Sequence, residues 1–132
     1  NSSILYNHET GSDADGVPMD NVFIESGDID IDEGDQFGFI SRIIPDVKFF
    51  GSTPTSGQIN YVLKSRNYPG ESLTTSSTSD VTSSTTQNFV RTRARQMVFR
   101  VQSDDDANTA VRTGLKWRLG ANRFDIRTDG RR

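Results

Sequence analysis

The chain has 132 residues, with 18 acidic and 15 basic side chains, a formal net charge of −3, no cysteine and one histidine, His8. That length suits one domain with a core of its own. The missing cysteines exclude disulfides and thiolate metal sites, one histidine cannot make a multi-histidine zinc centre, and apolar runs of two or three residues cannot cross a membrane as a helix.

The charge is divided along the chain. Residues 1–60 hold 11 Asp/Glu against two basic residues, Arg42 and Lys48, a net of −9. Residues 61–132 hold seven acids against 13 Lys/Arg, a net of +6. Such a split suits halves that pair with each other or with neighbouring subunits.

Helical periodicity is almost absent, and alternation of apolar and polar residues is common. "ETGSDADG" (9–16) reads as a loop. In "GDIDIDEGDQFG" (27–38), Asp28, Asp30 and Asp32 alternate with Ile29 and Ile31, which predicts a strand with one acidic face. As a calcium loop the stretch fails, because its sixth and twelfth places are Glu33 and Phe39 instead of glycine and glutamate. "QFGFISRIIPDVKFF" (36–50) is strand-rich, and Pro45 marks an edge, a bend or a break. "FFGSTPTSG" (49–57) is a loop, and "QINYVLKSR" (58–66) is a strand with Ile59, Tyr61 and Leu63 inward and Asn60 outward.

"RNYPG" (66–70) marks a turn. Residues 74–86 contain 11 Ser/Thr in 13, a composition that predicts a mobile or extended loop, with edge-strand pairing as the alternative. "FVRTRARQMVFRVQS" (89–103) is long for one strand. Its odd positions run Arg91, Arg93, Arg95 and then Met97, Phe99, Val101, so either the first half projects beyond the core or a bulge near Gln96 flips the facing. "SDDDANT" (103–109) is a loop. "LKWRL" (115–119) and "RFDIR" (123–127) alternate, and the intervening Gly120-Ala121-Asn122 predicts a C-terminal β-hairpin. The expected core is Ile59, Tyr61, Leu63, Phe99, Val101, Trp117, Leu119, Phe124 and Ile126. The whole, residues 1–132, reads as a single all-β domain, an antiparallel β-sandwich or barrel-like fold with long loops.

No pair of carboxylates is singled out for acid–base catalysis, and Trp117 fits a core position better than a sugar platform. Neither a catalytic nor a metal or cofactor site is expected. Arg91, Arg93 and Arg95 form a row that could meet phosphate, but no aromatic residues interleave with them in the sequence. An inter-subunit ladder with Asp28, Asp30 and Asp32 is therefore the preferred role of both rows.

Six segments, "YNHETG" (6–11), "FIESGDIDI" (23–31), "QFGFISRIIPDVKF" (36–49), "VLKSRNYPG" (62–70), "VRTRARQMVFRV" (90–101) and "WRLGANRFDIRTDGRR" (117–132), resemble the C-terminal part of podophage tail-hub or nozzle proteins, also called phage stabilisation proteins. The resemblance spans nearly the whole chain, and the terminal "RTDGRR" is its most specific piece. It implies a structural virion protein of the phage tail, and not an enzyme. The chain would be the C-terminal β region of a longer protein. The family implication is a homo-oligomeric ring, a hexamer, below the portal or adaptor. Such a ring closes the channel before infection, conducts genomic DNA without sequence recognition, docks tail fibres and has no membrane anchor. The alternative is a carbohydrate- or receptor-binding β-sandwich, with Phe49, Phe50, Tyr61 and Tyr68 as its candidate aromatics.

Overall fold

The computed structural model describes residues 3–5, 13, 17–19, 21–30, 36–50, 58–103 and 114–130. Among them the regular structure is entirely β: ten strands, antiparallel throughout, with no helix and no closed barrel. The strands are β1 (Phe23–Glu25), β2 (Ile29–Asp30), β3 (Gly38–Ile44), β4 (Val47–Phe50), β5 (Gln58–Arg66), β6 (Thr74–Thr82), β7 (Asn88–Ala94), β8 (Gln96–Ser103), β9 (Lys116–Leu119) and β10 (Arg123–Thr128).

One sheet has the order β1-β8-β5-β6, with β2 also on β8; the second is β10-β3-β7; a short ribbon joins β4 and β9. Between the two larger sheets lies the core. Ile59, Tyr61, Leu63, Val81, Met97 and Val101 of the first meet Ile40, Ile43, Val90 and Ala94 of the second. An edge-to-face chain of rings crosses the gap: Tyr61 on Phe99 at 5.2 Å, and Phe99 on Phe124 at 4.9 Å. Perpendicular rings bring the electropositive edge of one to the electronegative face of the next.

The long segment 89–103 does change facing, and the physical device is a corner. The strand breaks at Arg95; β7 belongs to the second sheet and β8 to the first. Val90, Thr92 and Ala94 point inward before the break, and Met97 and Val101 after it. Pro45 breaks the strand between β3 and β4, as a residue without an N–H donor should.

Four expectations need correction. The Ser/Thr-rich segment is not a mobile loop over most of its length: residues 74–82 are strand β6, hydrogen-bonded along β5, and only Thr82–Thr85 makes a turn. Its threonines suit a strand, and β5 supplies the ladder that its composition does not advertise.

β9 and β10 do not form a hairpin either. β9 pairs with β4 and β10 with β3, so β3–β4 and β9–β10 make one bent ribbon. The bend places Gly120-Ala121-Asn122 against Asp46. Gly120 N–H donates to the Asp46 carbonyl at 2.7 Å, Ala121 N–H donates to the Asp46 carboxylate at 2.9 Å, and Asp46 N–H donates to Asn122 Oδ1 at 2.8 Å. A Cβ at Gly120 would run into the Asp46 side chain.

Of the expected core, Phe99 of β8, Trp117 and Leu119 of β9 and Phe124 of β10 are only half-buried and pack against the core cluster, and Ile126 of β10 is 45% exposed. Asn60, expected outward, is buried together with Val62, since β5 is covered on both faces.

Candidate functional site

The largest concentration of charge among the described residues is the outer face of the β10-β3-β7 sheet. Strand alternation puts Ile40, Val90, Thr92 and Phe124 inward and leaves the intervening residues outside. Cross-strand register then assembles two rows. Arg127, Phe39 and Arg93 lie side by side, and so do Asp125, Arg42 and Phe89. Arg91, Arg95 and Arg123 extend the same face. Among the described residues it therefore gathers six arginines against two carboxylates, Asp125 and Asp129.

Arg42 Nε donates to Asp125 at 2.6 Å and Arg93 Nε to Asp129 at 2.7 Å. The Arg127 guanidinium lies over the Phe39 ring at 4.8 Å, while Arg93 and Arg95 lie over Phe37 at 4.1 and 4.9 Å. Such stacking holds the planar cations flat with their donors outward. A shallow hollow on this face is lined by Phe39, Ser41, Phe89, Val90, Arg91 and Arg127. Among the described residues, no carboxylate lies within ion-pair distance of Arg91, Arg123 or Arg127.

The acidic row sits elsewhere. Asp28 pairs with Arg66 of β5, and Asp30 on β2 faces Gln96. Asp32 lies outside the described residues. Within one chain, among the described residues, the acidic and basic rows do not meet; Asp28 pairs with Arg66 and Arg93 with Asp129.

A second ionic cluster has no signal in the sequence. Glu25 of β1 accepts from Lys64 Nζ at 3.0 Å and from Arg100 Nη1 at 3.2 Å. The Lys64 hydrogen bond, aided by Arg100, holds its carboxyl below the ordinary value of 4.5, against the opposing effect of burial. Arg100 also covers the Phe23 ring at 3.7 Å. Register explains the cluster: Glu25 lies beside Arg100, and Arg100 beside Val62.

Of the candidate sugar-binding aromatics, Tyr61 is 1% exposed and belongs to the core, and Phe49 is half-buried opposite Trp117. Only Phe50, at the end of β4, and Tyr68, in the turn after β5, are exposed. No group of three or more Asp, Glu, His or Cys side chains that could hold a metal occurs among the described residues.

Comparison with protein families finds no matching family, and comparison with curated proteins finds no match.

Proposed function

We propose that the chain is a structural module of a short-tailed phage virion, a β region of the tail-hub or nozzle ring below the portal. The carrying observation is a pair of strand edges, unpaired among the described residues and opposite in charge. The β1/β2 edge exposes Phe23, Ile24 and Ile29 and carries Asp30, with Asp28 beside it held by Arg66. The β10 edge exposes Ile126 and carries Arg123 and Arg127 against one carboxylate, Asp125, which pairs with Arg42. Open edges with apolar residues are surfaces that proteins normally cover. An acidic edge on one copy against a basic edge on the next is a head-to-tail contact, which closes into a ring when the rotation per subunit permits. In the ring, tail fibres and the portal or adaptor would contact the remaining surface, and DNA would pass through the channel. The six sequence segments that resemble tail-hub proteins supply the link to phage tails, and the fold class agrees with it.

The test is subunit count by sedimentation. A ring is expected that loosens as salt rises, because exposed pairs contribute only about 0–1 kcal/mol each and are screened over about 8–10 Å. Asp30→Lys should lower assembly at low salt. A chain that stays monomeric at every concentration and salt overturns the proposal.

A further inference from the structure

We infer that the outer face of the β10-β3-β7 sheet is a binding surface for single-stranded nucleic acid. Two independent features of the face favour this occupant. The first is uncompensated charge. Among the described residues six arginines share the face with two carboxylates; those carboxylates serve Arg42 and Arg93, and Arg95 is engaged over Phe37. Arg91, on β7 and away from the β10 edge, has no carboxylate within ion-pair distance among the described residues and keeps its donors for a polyanion outside the chain. Alternate strand residues on one face repeat at roughly 6.6–7 Å, which sets exposed Arg91 next along β7 to Arg93, itself held by Asp129. Guanidinium forks match phosphate oxygens two at a time.

The second feature is the interleaving of rings with the cations. Phe89 is 76% exposed, on the same face as Arg91 and beside Arg42 across the strand. Phe39 lies between Arg127 and Arg93 in the adjacent row. An exposed phenyl ring among arginines is costly in water and has an evident partner in an unstacked base, whose flat face covers it while the phosphates meet the cations. An acidic peptide would satisfy the arginines but leave Phe89 bare. A duplex hides its base faces and would leave Phe89 uncovered.

The experiment is fluorescence anisotropy of the whole chain with a labelled oligothymidylate of roughly 20 nucleotides, alongside a duplex of equal length and polyglutamate. Saturable binding should favour the single strand, and log affinity should fall linearly with log salt. Phe89→Ala should weaken it about tenfold with little change in that slope. Arg91→Ala should reduce the slope by about one unit. Tyr68→Ala, in a turn off this face, is the control and should change neither. Subunit count should stay the same in all three variants, whatever that count is, so failure here is separate from failure of the ring. No saturable binding at low salt overturns the inference. So does binding of polyglutamate as tight as the single strand and insensitive to Phe89→Ala, which would mark an acidic protein partner. A changed subunit count in Arg91→Ala would make this face a subunit contact and overturn it as well.

Discussion

Tyr61→Ala should destabilise the fold by about 3–5 kcal/mol, and Tyr61→Phe by only about 1 kcal/mol. The ring of Tyr61 sits at the centre of the core, 1% exposed, edge-on to Phe99. Truncation removes that contact and opens a cavity in the middle of the sandwich. The hydroxyl acts separately from the ring. It donates to Asn122 Oδ1 at 2.6 Å, at the corner where the β3–β4 and β9–β10 ribbon bends. Asn122 Oδ1 also accepts from Asp46 N–H, so phenylalanine leaves that oxygen with a donor and the loss is small.

The two substitutions also separate by pH. Burial, reinforced by the Asp46 charge, pushes the Tyr61 hydroxyl up to about 12 from its ordinary 10. The folded protein thus holds this proton more tightly than the unfolded chain does. Stability from it is complete below pH 10 and falls as pH rises from 10 through about 12, by about 3 kcal/mol at most. Urea melts at about pH 8 and about pH 11.5 should show a larger loss for the natural protein than for Tyr61→Phe. Equal losses would mean that this hydroxyl does not resist ionisation in the fold.

The strands themselves were legible in the sequence. Alternation in 58–66, 115–119 and 123–127 names strands that exist, and the switch from arginine to apolar residues within 89–103 locates the corner to within a residue or two. Pairing was not legible. A period of two tells which side of a strand is apolar, but says nothing about which strand lies next to it. That is why the short Gly120-Ala121-Asn122 link suggests a hairpin, although both of its flanking strands have distant partners held by Asp46 and Asn122. The same blindness hid the candidate site. Phe37 and Phe39 are far from Arg91, Arg93 and Arg95 in sequence, and only the pairing of β3 with β7 sets rings among arginines. Burial of Asn60 is not legible because alternation assumes one wet face, and on β5 that face is covered at Asn60 and Val62.

The Ser/Thr-rich strand gives the sharpest test of the fold, because Val81→Asp and Thr78→Asp should differ by several kcal/mol. Val81 is the one apolar residue of β6, fully buried and paired in register with Ile59. Ser77 and Ser79 share its inward face at half-burial, and Thr78 and Asp80 point to solvent. A carboxyl at position 81 would forfeit the roughly 1.5–3 kcal/mol gained by burying an aliphatic side chain. It would also enter the core without a hydrogen-bonding partner, which costs at least about 1–3 kcal/mol even when it takes up a proton. The sum is a large part of the ~5–15 kcal/mol that stabilises a typical domain. At position 78 the same substitution meets water and should stay within about 0.5 kcal/mol. The natural Asp80 already shows that this outer face accepts a carboxylate. Thermal melts of the two variants decide the matter. A large drop confined to Val81→Asp places residues 74–82 in the sheet. Equal melting points for both would mean that the segment does not pack on β5, and the order of the first sheet would have to be redrawn without β6.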